Sequence, residues 1–185
     1  MMHFYRTLFI MLLKMLGTLM CALSACAVVV PVQDFDLQKI AGKWYIAGMA
    51  SNADWFVTHK ADMKMGTAVL VATAEGDLDF SYASLKSDGT CWRQHNLANK
   101  TETPGRFTFT SPVWNNENDM RFVDVQSDDY AVVYTIKTKA GVSDVLTELY
   151  SNPEVSEELQ QKFKQFSQDN GVLSENIVIL PKNGE

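Results

Sequence analysis

Apolar and polar residues alternate with a period of two over most of this chain. From Lys43 onward the alternating runs are rich in Val, Tyr, Phe, Thr and Trp, and clusters of Gly, Asp, Asn and Pro separate them. The pattern predicts eight strands, at about 43–50, 61–74, 77–86, 90–97, 105–110, 118–126, 129–138 and 143–150. Because the connections are short, successive strands are expected to pair as antiparallel neighbours. We therefore predict an all-β, eight-stranded up-and-down antiparallel barrel, since closure removes the exposed sheet edges.

The period changes from two to that of a helix after the last of these strands. Between Pro153 and Asn170, four apolar residues fall on one helical face: Val155, Leu159, Phe163 and Phe166. Asn152 is the predicted N-cap, Pro153 suits the first helical turn, and Gly171 is the predicted stop. This pattern predicts one C-terminal α-helix packed on the outside of the barrel.

Two shorter elements flank this arrangement. Residues 35–41 resemble a helical turn that leads into Gly42. The apolar run 177–180 reads as a short last strand that ends before Pro181.

The first 27 residues have the features of a secretory signal peptide. They contain two basic and no acidic residues, and an apolar run over 15–25 leads to the small residues at 25–27. That run is well short of the roughly 20 residues that a membrane-spanning helix needs. We therefore predict cleavage after Ala27, a secreted domain over 28–185, and no stable membrane anchor. The alternative is lipidation of Cys26, because residues 23–26 also fit a bacterial lipobox.

The predicted mature chain is acidic. Loss of Arg6 and Lys14 removes two of 16 basic residues and none of the 22 acidic ones, which leaves 14 against 22 and a net charge near −8. Such a surface repels nucleic acid and anionic lipid headgroups. The charge therefore excludes nucleic-acid binding as a function class.

Several stretches resemble the lipocalin family. Gly42-x-Trp44 at the head of the first strand resembles the lipocalin signature, in which the tryptophan plugs the closed end of the barrel. Further stretches are similar to the lipocalin-type prostaglandin D synthase branch: AGMASNADW (47–55), SPVWN (111–115), YAVVY (130–134), LTELYS (146–151), ELQQKFKQF (158–166) and ENIVILP (175–181). The resemblance implies a lipocalin barrel with Trp44 as its plug. An arginine that covers this tryptophan in the family is replaced by Asn152, so other residues are expected to cover Trp44.

The same resemblance places Gly66 at the position of a catalytic residue. In the enzymes of the branch, a cysteine on the second strand attacks the substrate, whereas this chain reads Met65-Gly66-Thr67. Glycine has no side chain that could act as a nucleophile. Ile46 and Tyr82 stand where the enzymes have serine hydroxyls. Two interpretations of Gly66 are compatible: a lost nucleophile that leaves extra cavity volume, or a bulge glycine with a structural role.

The resemblance also implies a set of ligand-binding side chains. They are aromatic residues and one methionine, which bind flat apolar molecules through buried area and dispersion: Trp55, Met65, Phe80, Tyr82, Trp114 and Tyr150. Each of them could alternatively serve only to pack the barrel wall. Lys60 and Lys64 are candidates for pairing with a ligand carboxylate near the open end.

Cys91 is the one cysteine outside the predicted signal peptide, which excludes an internal disulfide and a cysteine metal cluster. It is interpreted as a strand residue of a monomer, with a disulfide-linked dimer as the alternative. His59 and His95 lie far apart without metal-ligand spacing, so neither a metal nor a cofactor is predicted. Asn99 begins a glycosylation sequon, Asn-Lys-Thr.

The sequence therefore predicts a secreted carrier that binds small lipophilic molecules in the barrel cavity without catalysis. The resemblance implies a retinoid, fatty acid, bile pigment or thyroid hormone as ligand type. The alternative is a prostaglandin D synthase-like isomerase with a nucleophile other than cysteine at position 66. A third hypothesis is an extracellular scavenger or inhibitor that acts through Cys91.

Overall fold

The computed structural model describes residues 28–86 and 88–183; the predicted signal peptide lies outside the described residues. The strands are β1 (Gly42–Ala50), β2 (Gly66–Ala72), β3 (Leu78–Leu85), β4 (Cys91–Lys100), β5 (Arg106–Ser111), β6 (Asn116–Gln126), β7 (Tyr130–Lys139), β8 (Val142–Ser151) and β9 (Ile177–Ile179). The α-helices are α1 (Leu37–Ile40), α2 (Asp54–His59) and α3 (Glu157–Asp169). Single 3-10 turns follow α2 at Lys60–Asp62 and precede β9 at Ser174–Asn176.

The strands β1 to β8 form a closed antiparallel barrel, as predicted. Each strand pairs with the next along the chain, and β1 closes the barrel because it pairs with both β2 and β8. The short β9 pairs with the end of β1, where Gly48 lies opposite Ile179. Closure leaves the eight strands without a free edge, which is the expected benefit of this architecture.

The second strand is shorter than predicted. Instead of beginning at residue 61, β2 begins at Gly66, because the preceding residues form α2 and the 3-10 turn. Local hydrogen bonds stabilise this helical segment: the Thr58 hydroxyl donates to the Asp54 carbonyl, and His59 Nδ1 contacts the Trp55 carbonyl. Both contacts span four residues, the spacing of one helical turn. We call residues 51–65, which connect β1 to β2, the lid.

The C-terminal helix also begins later than predicted. The prediction of Asn152 as N-cap was wrong: Ser156 is the N-cap, and its side chain accepts a hydrogen bond from the Leu159 amide. Glu157 and Glu158 occupy the first turn, where acidic side chains interact favourably with the helix dipole. The helix ends before Gly171, whose φ of +85° is easily adopted by glycine.

Helix α3 packs on the outside of the barrel, as predicted. Phe163 is fully buried between the helix and the outer surfaces of β1 and β8, where it contacts Gly48 and Leu149. A Cβ atom added at Gly48 would lie 2.9 Å from Phe163 Cε1. Glycine at position 48 therefore allows the helix to approach the wall this closely.

Trp44, which the resemblance predicts as the plug of the closed end, lies near the start of β1. Trp44 is buried, and its indole Nε1 donates a hydrogen bond of 2.8 Å to the carbonyl of Ile40 at the end of α1. Beside it, the Phe35 ring lies 6.0 Å from that of Phe107 and 5.0 Å from that of Phe122. The segment before β1 and these aromatic rings therefore pack against the inner core at this end of the barrel.

Candidate functional site

Strand alternation separates an inner from an outer face of the wall. On β7, Val132 belongs to the outer cluster under α3, whereas Ala131 and Val133 belong to the inner core. On β8, Leu149 faces the helix while Tyr150 faces inward. The inner faces enclose the lumen, the expected ligand site of a barrel of this size.

Gly66 lies on the inner wall, and the ring of Tyr82 occupies the space that its side chain would need. A Cβ atom added at Gly66 would lie 2.7 Å from the Tyr82 hydroxyl oxygen and 2.8 Å from its Cζ. Gly66 pairs regularly with Ile46, and the register shift of β1 lies further on, between Ile46 and Gly48. The prediction of extra cavity volume at this position was therefore wrong, because tyrosine fills it, and Gly66 is not a bulge residue.

Tyr82 belongs to a chain of aromatic side chains that runs toward the open end. Its ring centroid lies 5.5 Å from that of Trp92, which lies 6.3 Å from that of Trp114. The Trp114 indole Nε1 donates to Gln94 Oε1 at 3.3 Å, and 51% of Trp114 is exposed. Burial raises the pKa of the Tyr82 hydroxyl. This hydroxyl is therefore neutral at physiological pH and can donate a hydrogen bond.

The lid brings two adjacent aromatic residues to the mouth of the barrel. Phe56 is fully buried in the inner core, whereas Trp55 is 41% exposed and packs edge-on against Phe56 at 5.7 Å. Lys60, a predicted partner for a ligand carboxylate, instead donates to Asn176 Oδ1 and to the Glu175 carbonyl. The ammonium group of Lys60 therefore anchors the lid to the segment before β9.

Three other predicted ligand-binding residues are buried in the inner core. Met65 lies at the end of the lid, and its amide donates to the Pro181 carbonyl at 2.8 Å. Phe80 packs edge-on against Phe109 with ring centroids 5.2 Å apart. Burial raises the pKa of Tyr150 well above its usual value. Apolar and aromatic surface thus dominates this part of the lumen.

Two charged residues that sequence reasoning missed also face the lumen. Lys137 and Glu148 have the same strand phase as the inward-facing Val133 and Tyr150, respectively. Lys137 Nζ donates to Asn118 Oδ1 at 2.7 Å. Burial lowers the pKa of Lys137, and burial raises the pKa of Glu148 to about 7 despite the opposing charge of Lys137. Counting residues from Val133 and Tyr150 along their strands could have identified both.

Cys91 and the histidines lie away from the lumen. Cys91 is a free, exposed thiol at the start of β4, in the outward phase of that strand. His95 Nε2 lies 2.6 Å from Asp79 Oδ1 on the outer surface, and the exposed His59 belongs to the lid. Within residues 28–86 and 88–183, no cluster of three potential metal ligands is present. Asn99 is exposed near the end of β4, opposite Thr108.

Comparison with known proteins gives a consistent family match. The model of the lipocalin / cytosolic fatty-acid binding protein family matches residues 41–184. A protein named lipocalin from Rhinella marina is 41% identical over 165 residues, covering 87% of this chain and 90% of the relative. The prostaglandin-H2 D-isomerase of Felis catus is 34% identical over 175 residues, covering 94% of this chain and 90% of that enzyme.

A solved structure gives the same result for the fold. The siderocalin Ex-FABP, described as functioning through dual ligand specificities, superposes with a TM-score of 0.69 at 29% identity. The match covers 79% of this chain and 96% of that protein. In the part of the chain that the structure describes, none of the helices has the length and apolar character needed to cross a membrane.

Proposed function

We propose that this chain, which belongs to the lipocalin family, is a secreted carrier that binds small lipophilic molecules in its barrel without catalysing their conversion. The observation that carries the proposal is the identity and surroundings of residue 66 on the inner wall. Glycine stands there in place of a nucleophile, and the Tyr82 ring occupies the space beside it. Binding then requires only the transfer of an apolar molecule from water into a largely preformed cavity.

The lining of the lumen supports binding of an elongated apolar molecule. Phe80, Tyr82 and Tyr150 contribute aromatic surface, and Met65 contributes an adaptable thioether side chain. Trp55 and Trp114 stand partly exposed on the lid and on the β5–β6 connection. We propose that these six residues contact the ligand, and that Trp44 has a structural role only.

The test is a titration of the purified mature protein with all-trans retinoic acid, followed by quenching of tryptophan fluorescence. The carrier proposal predicts saturable quenching with one ligand per chain, reversed by dodecanoic acid as a competitor. Quenching that rises linearly without saturation, or that dodecanoic acid leaves unchanged, would contradict a single lumen site.

Secretion and modification are tested separately by expression in cultured vertebrate cells. We expect the protein in the medium, as a monomer that begins at Val28 and carries a glycan on Asn99 that a glycosidase removes. Retention in the cell with an intact N-terminus would contradict secretion. A dimer that dissociates under reduction and is lost in Cys91→Ser would show that Cys91 links two chains.

An isomerase with another catalytic group is the second candidate. It is favoured by Glu148, a lumen carboxyl group whose pKa of about 7 suits proton transfer near neutral pH. Cys91 is a poor candidate because it is exposed on the outside of β4. Turnover of prostaglandin H2 that persists in Cys91→Ser and disappears in Glu148→Gln would support this candidate over the carrier.

A further inference from the structure

Glu148 places a carboxyl group in the lumen, which also contains Lys137 and Asn118, and this carboxyl group has no partner among the described residues. It lies in the middle of β8, opposite Val133, and its side chain is directed inward between those of Leu146 and Tyr150. Among the described residues, its carboxylate forms no hydrogen bond and no ion pair within 4.0 Å. The residue is half-buried, and a carboxyl group largely removed from water without a partner is costly, so its presence requires an explanation.

The positive charge that acts on Glu148 belongs to Lys137. The two side chains do not form an ion pair within 4.0 Å. Lys137 is paired with Asp144 across the strands, four residues from Glu148 and hence about 13 Å away along β8. Its ammonium group has three N–H donors, and one of them donates to Asn118 Oδ1. The other two N–H groups have no hydrogen-bond partner among the described residues, so Lys137 can donate to a molecule in the lumen.

The charged and titratable groups that interact with Glu148 are groups that can donate hydrogen bonds. The charged and titratable groups that interact with it are Lys137 on β7, Tyr82 on β3 and Tyr150 on β8. Lysine donates only, and a neutral tyrosine hydroxyl can donate. Once Glu148 binds a proton it also becomes a donor, and every one of these groups can then serve an anionic head group.

We propose that Lys137, held in place by Asn118 Oδ1, and Glu148 form a head-group site in the lumen, specific for lipophilic molecules that end in a carboxylate, and that binding is coupled to uptake of one proton by Glu148. The proposal rests on the proposed carrier function and names the ligand class of that same cavity. Two carboxylates close together in a cavity of low dielectric constant do not both remain ionised. The proton removes their repulsion and allows Glu148 to donate to the ligand, while Lys137 contributes the positive charge.

The required proton is available near neutral pH. Glu148 titrates at about pH 7 in the unliganded barrel, so protonating it costs little there. Affinity for a carboxylate ligand is then expected to fall up to tenfold for each pH unit above this value, because each ligand must bring one proton with it. Below this value, Glu148 is already protonated and the affinity levels off.

The experiment compares three ligands with the same tail: dodecanoic acid, dodecanol and dodecylamine. Isothermal titration calorimetry of the purified protein at pH 6.0, 7.0 and 8.5, in buffers of different ionisation enthalpy, gives the affinity and the number of protons taken up. We expect dodecanoic acid to bind at least tenfold more weakly at pH 8.5 than at pH 6.0, with uptake of one proton at pH 8.5. The affinity for dodecanol is expected to be independent of pH.

Two variants separate the roles of the charged residues. Glu148→Gln, which resembles the protonated side chain, should remove both the pH dependence and the proton uptake. Lys137→Met should remove the preference for the acid over the alcohol at pH 6.0. Thermal unfolding of each variant shows whether it is folded. If a variant does not fold, the pH series on the unmodified protein still tests the proposal.

The remaining outcomes distinguish the head-group site from the carrier function. Equal, pH-independent binding of acid and alcohol would overturn the head-group site and leave the carrier proposal standing. Tighter binding of dodecylamine than of dodecanoic acid at pH 8.5 would overturn the carboxylate class, because ionised Glu148 would then be binding cations. If none of the three ligands binds, the carrier proposal itself is contradicted.

Discussion

Gly48 and Gly66 both leave room for an aromatic ring, but on opposite faces of the barrel wall. At Gly48, on the outer face, an added Cβ would lie 2.9 Å from Phe163; at Gly66, on the inner face, it would lie 2.7 Å from Tyr82. Phe163 is fully buried under α3, whereas Tyr82 is half-buried beside the lumen. The outer glycine therefore permits helix packing, which stabilises the fold, and the inner glycine shapes the cavity.

The largest expected difference follows from removing the two rings. Phe163→Ala should lower the free energy of unfolding by about 3–5 kcal/mol, because it leaves a cavity between the helix and the wall. Tyr82→Ala should cost clearly less, since water or ligand in the lumen can occupy the space. Urea denaturation of both variants checks this, and equal losses would show that the inner ring is as structural as the outer one.

The second difference between the two faces is that the inner face carries a titratable carboxyl group, that of Glu148. The folded-state pKa of about 7 lies above the usual 4.5, so the folded state binds the proton more tightly than the unfolded state does. The resulting stabilisation is fully present below pH 4.5 and is lost as pH rises to 7. The loss amounts to at most about 3–4 kcal/mol, for a shift of about 2.5 pKa units at roughly 1.4 kcal/mol per unit.

Stability measured at several pH values checks this prediction, with Glu148→Gln as the matched control. The difference between the unmodified protein and the variant should change across pH 4.5 to 7 and level off on either side. A difference that stays constant with pH would show that Glu148 keeps an ordinary pKa in the folded state.

Adding a single methyl group tests the two glycines themselves. Gly48→Ala should destabilise the protein by about 1–3 kcal/mol, because neither Phe163 nor the wall beside it has room to move. Gly66→Ala should cost less than about 1 kcal/mol, since the Tyr82 ring can swing toward the lumen. Thermal unfolding of the pair is sufficient, and a larger loss at Gly66 would reverse the comparison.

The smallest expected effect is on the reactivity of a thiol placed at position 66. In a Cys91→Ser background, the thiol of Gly66→Cys should react slowly with iodoacetamide, because Tyr82 covers it. Adding Tyr82→Ser should accelerate alkylation several-fold, with denatured protein giving the rate for full exposure. Equal rates with and without Tyr82→Ser would mean that the ring does not shield this position.

The barrel could be predicted from the sequence because strand alternation is a local signal. The eight strands, the outer helix and the short last strand all follow from periodicity and turn residues. The start of β2 was predicted too early because residues 61–65 (Ala-Asp-Met-Lys-Met) alternate between apolar and polar as a strand does. In the folded chain Lys60–Asp62 form the 3-10 turn after α2, and β2 begins only at Gly66. The start of α3 was missed because Asn152 and Pro153 offered an earlier start that Ser156 overrides.

Only part of the candidate site could be predicted from the sequence. The six predicted ligand-binding residues lie on the inner wall, the lid or the β5–β6 connection. Lys137 and Glu148 were missed because charged residues on strands usually face solvent, and only the phase of their strands directs them inward. The filling of Gly66 by Tyr82 depends on a contact between two strands, which no local pattern encodes.

The most direct test of the central claim is the fate of prostaglandin H2 incubated with the unmodified, purified protein, with the products separated and quantified against buffer alone. A carrier that has lost its nucleophile predicts decay at the buffer rate, with no excess of the D isomer, even when retinoic acid binding shows that the barrel is intact. Formation of the D isomer above the buffer rate, saturable with substrate, would contradict the claim.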